Sequence, residues 1–339
     1  MAYFEPTNVE FTSSGAQILD CILGGGWAVG RVINVIGDKS VGKSIVAIEA
    51  CVNLLLKYPD AYIWYVDSEA AFDESYILSL GIPVDKFKFI PAETMEDVHN
   101  MLDDKIANAN PKNHGMIIID SYDALSDEKE KERLIEEGSY KTDKVRMLGE
   151  FFRRNVSRLE KKNITTIVIN QVRDVLTSRF PMKTKTGGNT LNHNASQIVW
   201  LSELGKTEKT VNGVKRVIGL SVKAKVTKNK VGMPFRDCEF DLLLGYGMDD
   251  LSSNLKWLLS AGKPFNLSDK NLNSTALITN FVKKCMEGPH DEFMKIRTEV
   301  AAKVKTEWDI IEEGFRPPTK KYIGLVESKP EPSEIKNDE

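Results

Sequence analysis

The sequence is short of the residues that announce several common protein classes. Its four cysteines, Cys21, Cys51, Cys238 and Cys285, stand far apart with no CxxC pair, and its four histidines, His99, His114, His193 and His290, are equally scattered. Neither a disulfide framework nor a zinc ribbon is indicated. No apolar run approaches the roughly 20 residues that a bilayer-spanning helix requires. The opening residues, MAYFEPTNVE, lack a basic stretch followed by an apolar one. No secretory signal is read there, and a reducing cytoplasm is the expected compartment. Charge of one sign is not in excess either, because 46 basic residues face 49 acidic ones for a formal net charge of −3. A globally basic surface of the histone kind is excluded, so any nucleic-acid contact has to be regional. No internal repeat is visible.

What is present is enough apolar content for a sizeable core. The chain has 339 residues, 41% hydrophobic and 28% charged, which fits a soluble globular protein with one large core and a smaller second one. Short β-branched runs at 31–37, 61–67, 86–90, 115–120, 164–170 and 196–202 alternate with amphipathic stretches at 43–57, 93–108 and 144–162. This pattern predicts an α/β fold with a largely parallel central sheet buried on both faces. After residue 202 the open alternation of polar and apolar residues predicts antiparallel strands at a sheet edge. From Met248 onward, apolar residues recur at helix spacing. The expected organisation is a short N-terminal segment over 1–30, a core over 31–247, a small helical domain over 248–326 and a disordered acidic tail over 327–339.

Residues 37–44 read GDKSVGKS, between the apolar run RVINVI and the helical stretch IVAIEACVNLLL. This is the strand, loop and helix context of the G-x-x-x-x-G-K-[ST] phosphate loop. Gly37 and Gly42 let the backbone curl so that the N–H groups of Asp38, Lys39, Ser40, Val41 and Gly42 can face phosphate oxygens at a helix N-terminus. Lys43 supplies charge at the β and γ phosphates, and Ser44 supplies a hydroxyl to Mg²⁺. The expected cofactors are ATP and Mg²⁺.

Polar residues at the ends of three predicted strands complete the set. AYIWYVD runs into Ser68 and Glu69, where a carboxylate can orient and deprotonate an attacking water; the alternative is a helix N-terminal acid. GMIIID ends in Asp120, which would hold Mg²⁺ opposite Ser44. ITTIVINQ ends in Asn170 and Gln171, either a γ-phosphate sensor or an amide capping the next loop.

These residues resemble one family in consistent order and spacing: the RecA recombinases, including bacteriophage-encoded, UvsX-like members. The likeness runs from SSGAQILDCILGGGWAVGR through GDKSVGKS, YVDSEAAFDESY, MIIIDSYDAL, VINQVR and TGGNTL to KVTKNKVGMPF, about the first 250 residues. The resemblance implies a RecA-type P-loop ATPase core and makes Glu69 the catalytic glutamate, acting with Lys43 and Gln171. It assigns Asp73 and Tyr76 to the adenine, Gln171 to the γ-phosphate switch, and Lys228 and Lys230 to ATP held by a neighbouring subunit. It also places two DNA-binding loops. The first precedes a helix carrying Arg146, Arg153 and Arg154. The second holds Arg173, Leu176, Arg179, Phe180, Lys183 and Lys185 and closes on Gly187, Gly188 and Asn189. Basic side chains there would neutralise phosphates while Phe180 contacts bases without reading sequence; an ordinary solvated loop is the alternative.

The implied function is an ATP-dependent recombinase that assembles on single-stranded DNA as a helical filament, pairs it with homologous double-stranded DNA and exchanges strands in recombination and repair. Two departures bear on it. Only MAYFEPTNVEF precedes the core where the family carries an N-terminal helix and strand that dock on the adjacent protomer, and His193 stands where the family uses an aromatic relay between subunits. The competing readings are a recombination mediator or annealing protein that forms no long filament, and a ring-forming helicase.

Overall fold

The computed structural model describes residues 9–68, 77–78, 81, 84–91, 94–121, 124–126, 141–174, 183–185, 188–267 and 270–318. In chain order the strands are β1 (Phe11–Thr12), β2 (Trp27–Ala28), β3 (Val32–Gly37), β4 (Tyr62–Asp67), β5 (Phe87–Pro91), β6 (Gly115–Asp120) and β7 (Ile164–Asp174). They continue as β8 (Lys183–Lys185), β9 (Gln197–Val211), β10 (Val214–Asn229), β11 (Asp237–Leu243), β12 (Gly247–Asp249), β13 (Asn266–Leu267) and β14 (Lys270–Asn271). The helices are α1 (Gln17–Leu23), α2 (Lys43–Lys57), α3 (Met95–Asn108), α4 (Lys141–Lys161), α5 (Gly188–Asn194), α6 (Asp250–Ser260), α7 (Thr275–Glu287) and α8 (His290–Gly314).

The main sheet has the order β12-β11-β10-β9-β3-β7-β6-β4-β5, with β8 added to β7. Every pairing from β9 to β5 is parallel, and those from β9 to β12 are antiparallel. Both halves of the expected sheet are therefore present. The parallel half reads as unbroken apolar runs because both of its faces are covered. Ile33 and Val35 join one buried cluster, while Val32 and Ile36 join the other. In β6, Met116 and Ile118 likewise face one side and Ile117 and Ile119 the opposite one. The first face is packed by α1, α2, α6, α7 and α8. The second is packed by α3, α4 and α5.

Local chemistry sets several helix starts. The Thr94 hydroxyl accepts the Asp97 amide at 3.1 Å to cap α3, and the Asp249 carboxylate accepts the Ser252 amide at 3.1 Å to cap α6. The apolar stripe expected on α4 is buried at Leu148, Phe152 and Leu159, joined by Phe151.

Three features exceed the sequence reading. Helix α1 is buried along nearly its whole length, with Ile18, Leu19, Ile22 and Leu23 at 1% exposure or less. Strand β7 does not stop at Asn170 but continues to Asp174, where its last three residues pair with β8 in an antiparallel ribbon. The β9–β10 hairpin is also long, and most of its residues beyond Leu201 are exposed or half-buried.

The C-terminal helices share a cluster with the first face of the sheet through Leu255, Ile278, Val300 and Val304. Polar anchors reinforce that contact. Arg297 donates to Asp250 at 2.9 Å, and Arg236, in the turn before β11, grips Glu312 of α8 with two nitrogens at 2.8 and 2.7 Å. The acidic tail expected at 327–339 lies outside the described residues. No helix among the described residues is long and apolar enough to cross a membrane.

Candidate functional site

The phosphate loop links β3 to α2, and its geometry requires glycine at both ends. A Cβ on Gly37 would stand 2.7 Å from Val41 Cγ1 and 2.8 Å from the Leu201 carbonyl oxygen. Gly42 has φ +92° and would place a Cβ 2.2 Å from Leu242 Cδ1 of β11, so both its backbone and its surroundings exclude a side chain. Val41 is buried beneath the loop, Asp38 is half-buried, and Lys39 and Ser40 are exposed. Lys43 opens α2 and bends back so that Nζ donates to the Asp38 carbonyl at 2.6 Å. The first turn of α2 contains no acidic residue, leaving its N-terminal amides suited to an anion.

Ser44 and Asp120 meet in the structure. The Ser44 hydroxyl donates to Asp120 Oδ2 at 2.5 Å. These hard oxygen donors do not enclose an ion, and among the described residues no cluster of three or more His, Cys, Asp or Glu could hold a metal. That suits Mg²⁺, which keeps waters and phosphate oxygens in its shell and needs few protein ligands. The described residues therefore fit a Mg²⁺–nucleotide.

Sheet register explains the convergence. Asp67 pairs with Asp120 across β4 and β6, and Gln171 pairs with Gly37 across β7 and β3. Gln171 thus lies beside the first residue of the phosphate loop. Its neighbour Asn170 has a different role: fully buried, it donates from Nδ2 to Asn34 Oδ1 at 2.7 Å in the second cluster face. Glu69, Asp73 and Tyr76 lie outside the described residues; the chain is described up to Ser68, whose amide donates to the Asp120 carbonyl at 2.9 Å.

Sequence patterns did not single out Tyr65. It is 2% exposed on β4, and its hydroxyl donates to the same Asp120 Oδ2 at 2.9 Å. Burial, followed by the neighbouring Asp120 carboxylate, holds the phenol well above its ordinary value, so it remains a donor.

Lys228 and Lys230 lie together at the end of β10. Lys228 Nζ donates to the Asn192 and His193 carbonyls, the latter at 3.2 Å, and Lys230 Nζ reaches the His193 carbonyl at 3.3 Å. Both ammonium groups occupy the C-terminus of α5. Burial, then the nearby Lys230 charge, lowers the Lys228 pKa.

The expected DNA-binding residues that the structure describes fall on α4, β7, β8 and α5. Arg146 and Arg153 are exposed on α4, whereas Arg154 is engaged by Glu150 and lies 3.8 Å from Asp103. Arg173 of β7 pairs with Thr184 of β8, between the positions of Lys183 and Lys185. Gly188 and Asn189 open α5. Leu176, Arg179, Phe180 and Gly187 lie outside the described residues.

The sequence relationships agree with this arrangement. Residues 3–249 match the RecA N-terminal domain. The chain is 32% identical over 244 residues to Protein RecA of Nostoc punctiforme, covering 72% of this chain and 65% of that protein. It is 30% identical over 272 residues to Protein RecA of Trichormus variabilis, covering 78% and 73%. With Protein RecA of Rickettsia conorii it shares 29% identity over 307 residues, covering 88% and 86%. The first of these matches spans just under two thirds of the relative's length. The phosphate loop, the Ser44–Asp120 pair and a domain match covering most of the sequence lead to one assignment: this chain belongs to the RecA family.

Proposed function

We propose that the protein is an ATP-dependent DNA recombinase, a DNA-dependent ATPase that assembles on single-stranded DNA and promotes homologous pairing and strand exchange in recombination and repair. One observation carries the reading. Strand β7 brings Gln171 beside Gly37 of the phosphate loop and then continues without interruption into the ribbon containing Arg173, Lys183 and Lys185. Nucleotide and DNA would thus act on adjacent residues at the C-terminal end of one strand, so an amide that follows the γ-phosphate can bias the DNA loop.

In this reading Lys43 and the loop amides bind the phosphates, Ser44 and Asp120 hold Mg²⁺, and Glu69 accepts the proton of the attacking water. When bound, Mg²⁺ supplies charge neutralisation at the transferring phosphoryl group. Asp73 and Tyr76 receive the adenine. Lys228 and Lys230 serve the nucleotide of an adjacent subunit, which makes the filament the complete enzyme. Arg146, Arg153, Arg173, Arg179, Lys183 and Lys185 neutralise DNA phosphates, while Leu176 and Phe180 provide apolar contact and Gly187, Gly188 and Asn189 close the loop. The domain boundaries near residues 30, 247 and 326 and a cytoplasmic location belong to the same proposal. Placement in a bacteriophage-encoded, UvsX-like branch rests on the sequence resemblance alone, and the genomic neighbourhood of the coding sequence tests it.

The decisive experiment is negative-stain microscopy with single-stranded DNA and a non-hydrolysable ATP analogue, paired with a strand-exchange assay. Long helical filaments and exchanged strands are expected. Closed rings or small discrete particles without exchange would refute the recombinase reading.

A further inference from the structure

We infer that Tyr65 is a positioning residue for the cation site: its hydroxyl fixes the Asp120 carboxylate, and through it the Ser44 hydroxyl, in the orientation that receives Mg²⁺ with the nucleotide. The inference rests on the ATP and Mg²⁺ reading above. Tyr65 pairs in register with Ile118, two residues before Asp120, while Asp67 pairs with Asp120 itself. Tyr65 and Ile118 belong to the cluster on the α2 face, and two-residue spacing puts Asp120 on that side too. An aromatic side chain can span the diagonal between neighbouring strands. Here the phenol uses that reach to place its oxygen 2.9 Å from Asp120 Oδ2. Phenylalanine would fill the same space without making the hydrogen bond.

The chemistry at Ser44 gives this contact its consequence. A hydroxyl that coordinates a cation must aim a lone pair at the ion and its proton elsewhere. Asp120 Oδ2 accepts the proton of Ser44 at 2.5 Å, which leaves the hydroxyl lone pairs available for the ion. Asp120 is only half-buried, so packing alone does not hold its carboxylate. Tyr65 is almost fully buried, with its ring 5.8 Å from that of Phe89. It therefore supplies a fixed donor from the rigid interior, the arrangement that commonly orients a metal-binding carboxylate.

The test measures binding rather than turnover. A fluorescent ATP analogue is titrated against wild type, Tyr65→Phe, Asp120→Asn and Tyr62→Phe over a range of Mg²⁺ concentrations, and Mn²⁺ in the nucleotide complex is followed by electron paramagnetic resonance. Tyr62 is the control because it lies on the same strand and its hydroxyl has no hydrogen-bond partner among the described residues. The Mg²⁺ concentration at half-maximal binding should rise about tenfold in Tyr65→Phe, with nucleotide affinity at saturating Mg²⁺ within about twofold of wild type and a changed Mn²⁺ spectrum. Tyr62→Phe should match wild type. A Mg²⁺ midpoint and Mn²⁺ spectrum unchanged in Tyr65→Phe but altered in Asp120→Asn would overturn the role of Tyr65 alone. No change in Asp120→Asn would overturn the cation-site reading with it. Equal weakening of Tyr65→Phe at every Mg²⁺ concentration would identify general damage and count against positioning.

Discussion

Two buried ionisable side chains pull the stability of this protein in opposite directions with pH. Asp20 accepts from the Ser13 hydroxyl at 2.7 Å and the Ser14 amide at 2.6 Å, yet burial outweighs those bonds and raises its pKa from 3.8 to about 7. The folded state retains a proton that the unfolded chain loses near pH 4, so this group removes stability as pH rises from about 4 to about 7. His99, with its ring 4.6 Å from that of Phe151, is lowered from 6.5 to about 4, again chiefly by burial. The unfolded chain takes up that proton first, and stability falls as pH drops from about 6.5 to about 4. Asp20→Asn keeps an acceptor for Ser14 and should make the denaturation midpoint rise more steeply with pH between about 4.5 and 6.5. His99→Phe should flatten the same segment. Equal pH slopes in all three proteins would show that neither group titrates in this way. The sequence revealed the phosphate loop because its residues are contiguous and chemically distinctive. It did not reveal Tyr65, which reads as one more aromatic in a buried strand and meets Asp120 only across a separation of 55 residues.

Among the elements, the parallel strands were legible because burial on both faces leaves short apolar runs bounded by polar ends. The extension of β7 was not, since Val172, Arg173 and Asp174 read as the start of a loop and their partner β8 is Lys-Thr-Lys. Helix α1 escaped notice because seven residues are too few for helical periodicity to stand out. Helix α5 is equally short, and the ammonium groups of Lys228 and Lys230 stand against its terminal carbonyls. A cation at a helix C-terminus contributes about 0.3–1 kcal/mol. Lys228→Ala should therefore accelerate amide exchange in the last turn of α5 about two- to fivefold, as measured by mass spectrometry. Unchanged exchange would mean that the lysine does not secure this helix. The same contact bears on the proposed role across the interface: with two of its three N–H donors on the Asn192 and His193 carbonyls, the Lys228 ammonium keeps one for a neighbour's phosphate.

At the scale of the molecule, the antiparallel strands form the wall against which the phosphate loop rests. Leu242 of β11 is 1% exposed and occupies the space that a side chain on Gly42 would need. Truncating a buried leucine costs about 2–5 kcal/mol, and here the cavity would open directly beside the loop. Leu242→Ala should weaken binding of a fluorescent ATP analogue about tenfold, or about 1.4 kcal/mol, in protein that still melts cooperatively. Wild-type affinity in that variant would separate the wall from the site. The coupling must also be reciprocal: any free energy by which an intact wall favours the occupied loop returns as resistance of the wall to opening once the loop is filled. Nucleotide would thus brace the strands behind the loop as well as the loop itself. A survey of variants scored only by ATP affinity would recover positions along β11 that belong to no phosphate contact.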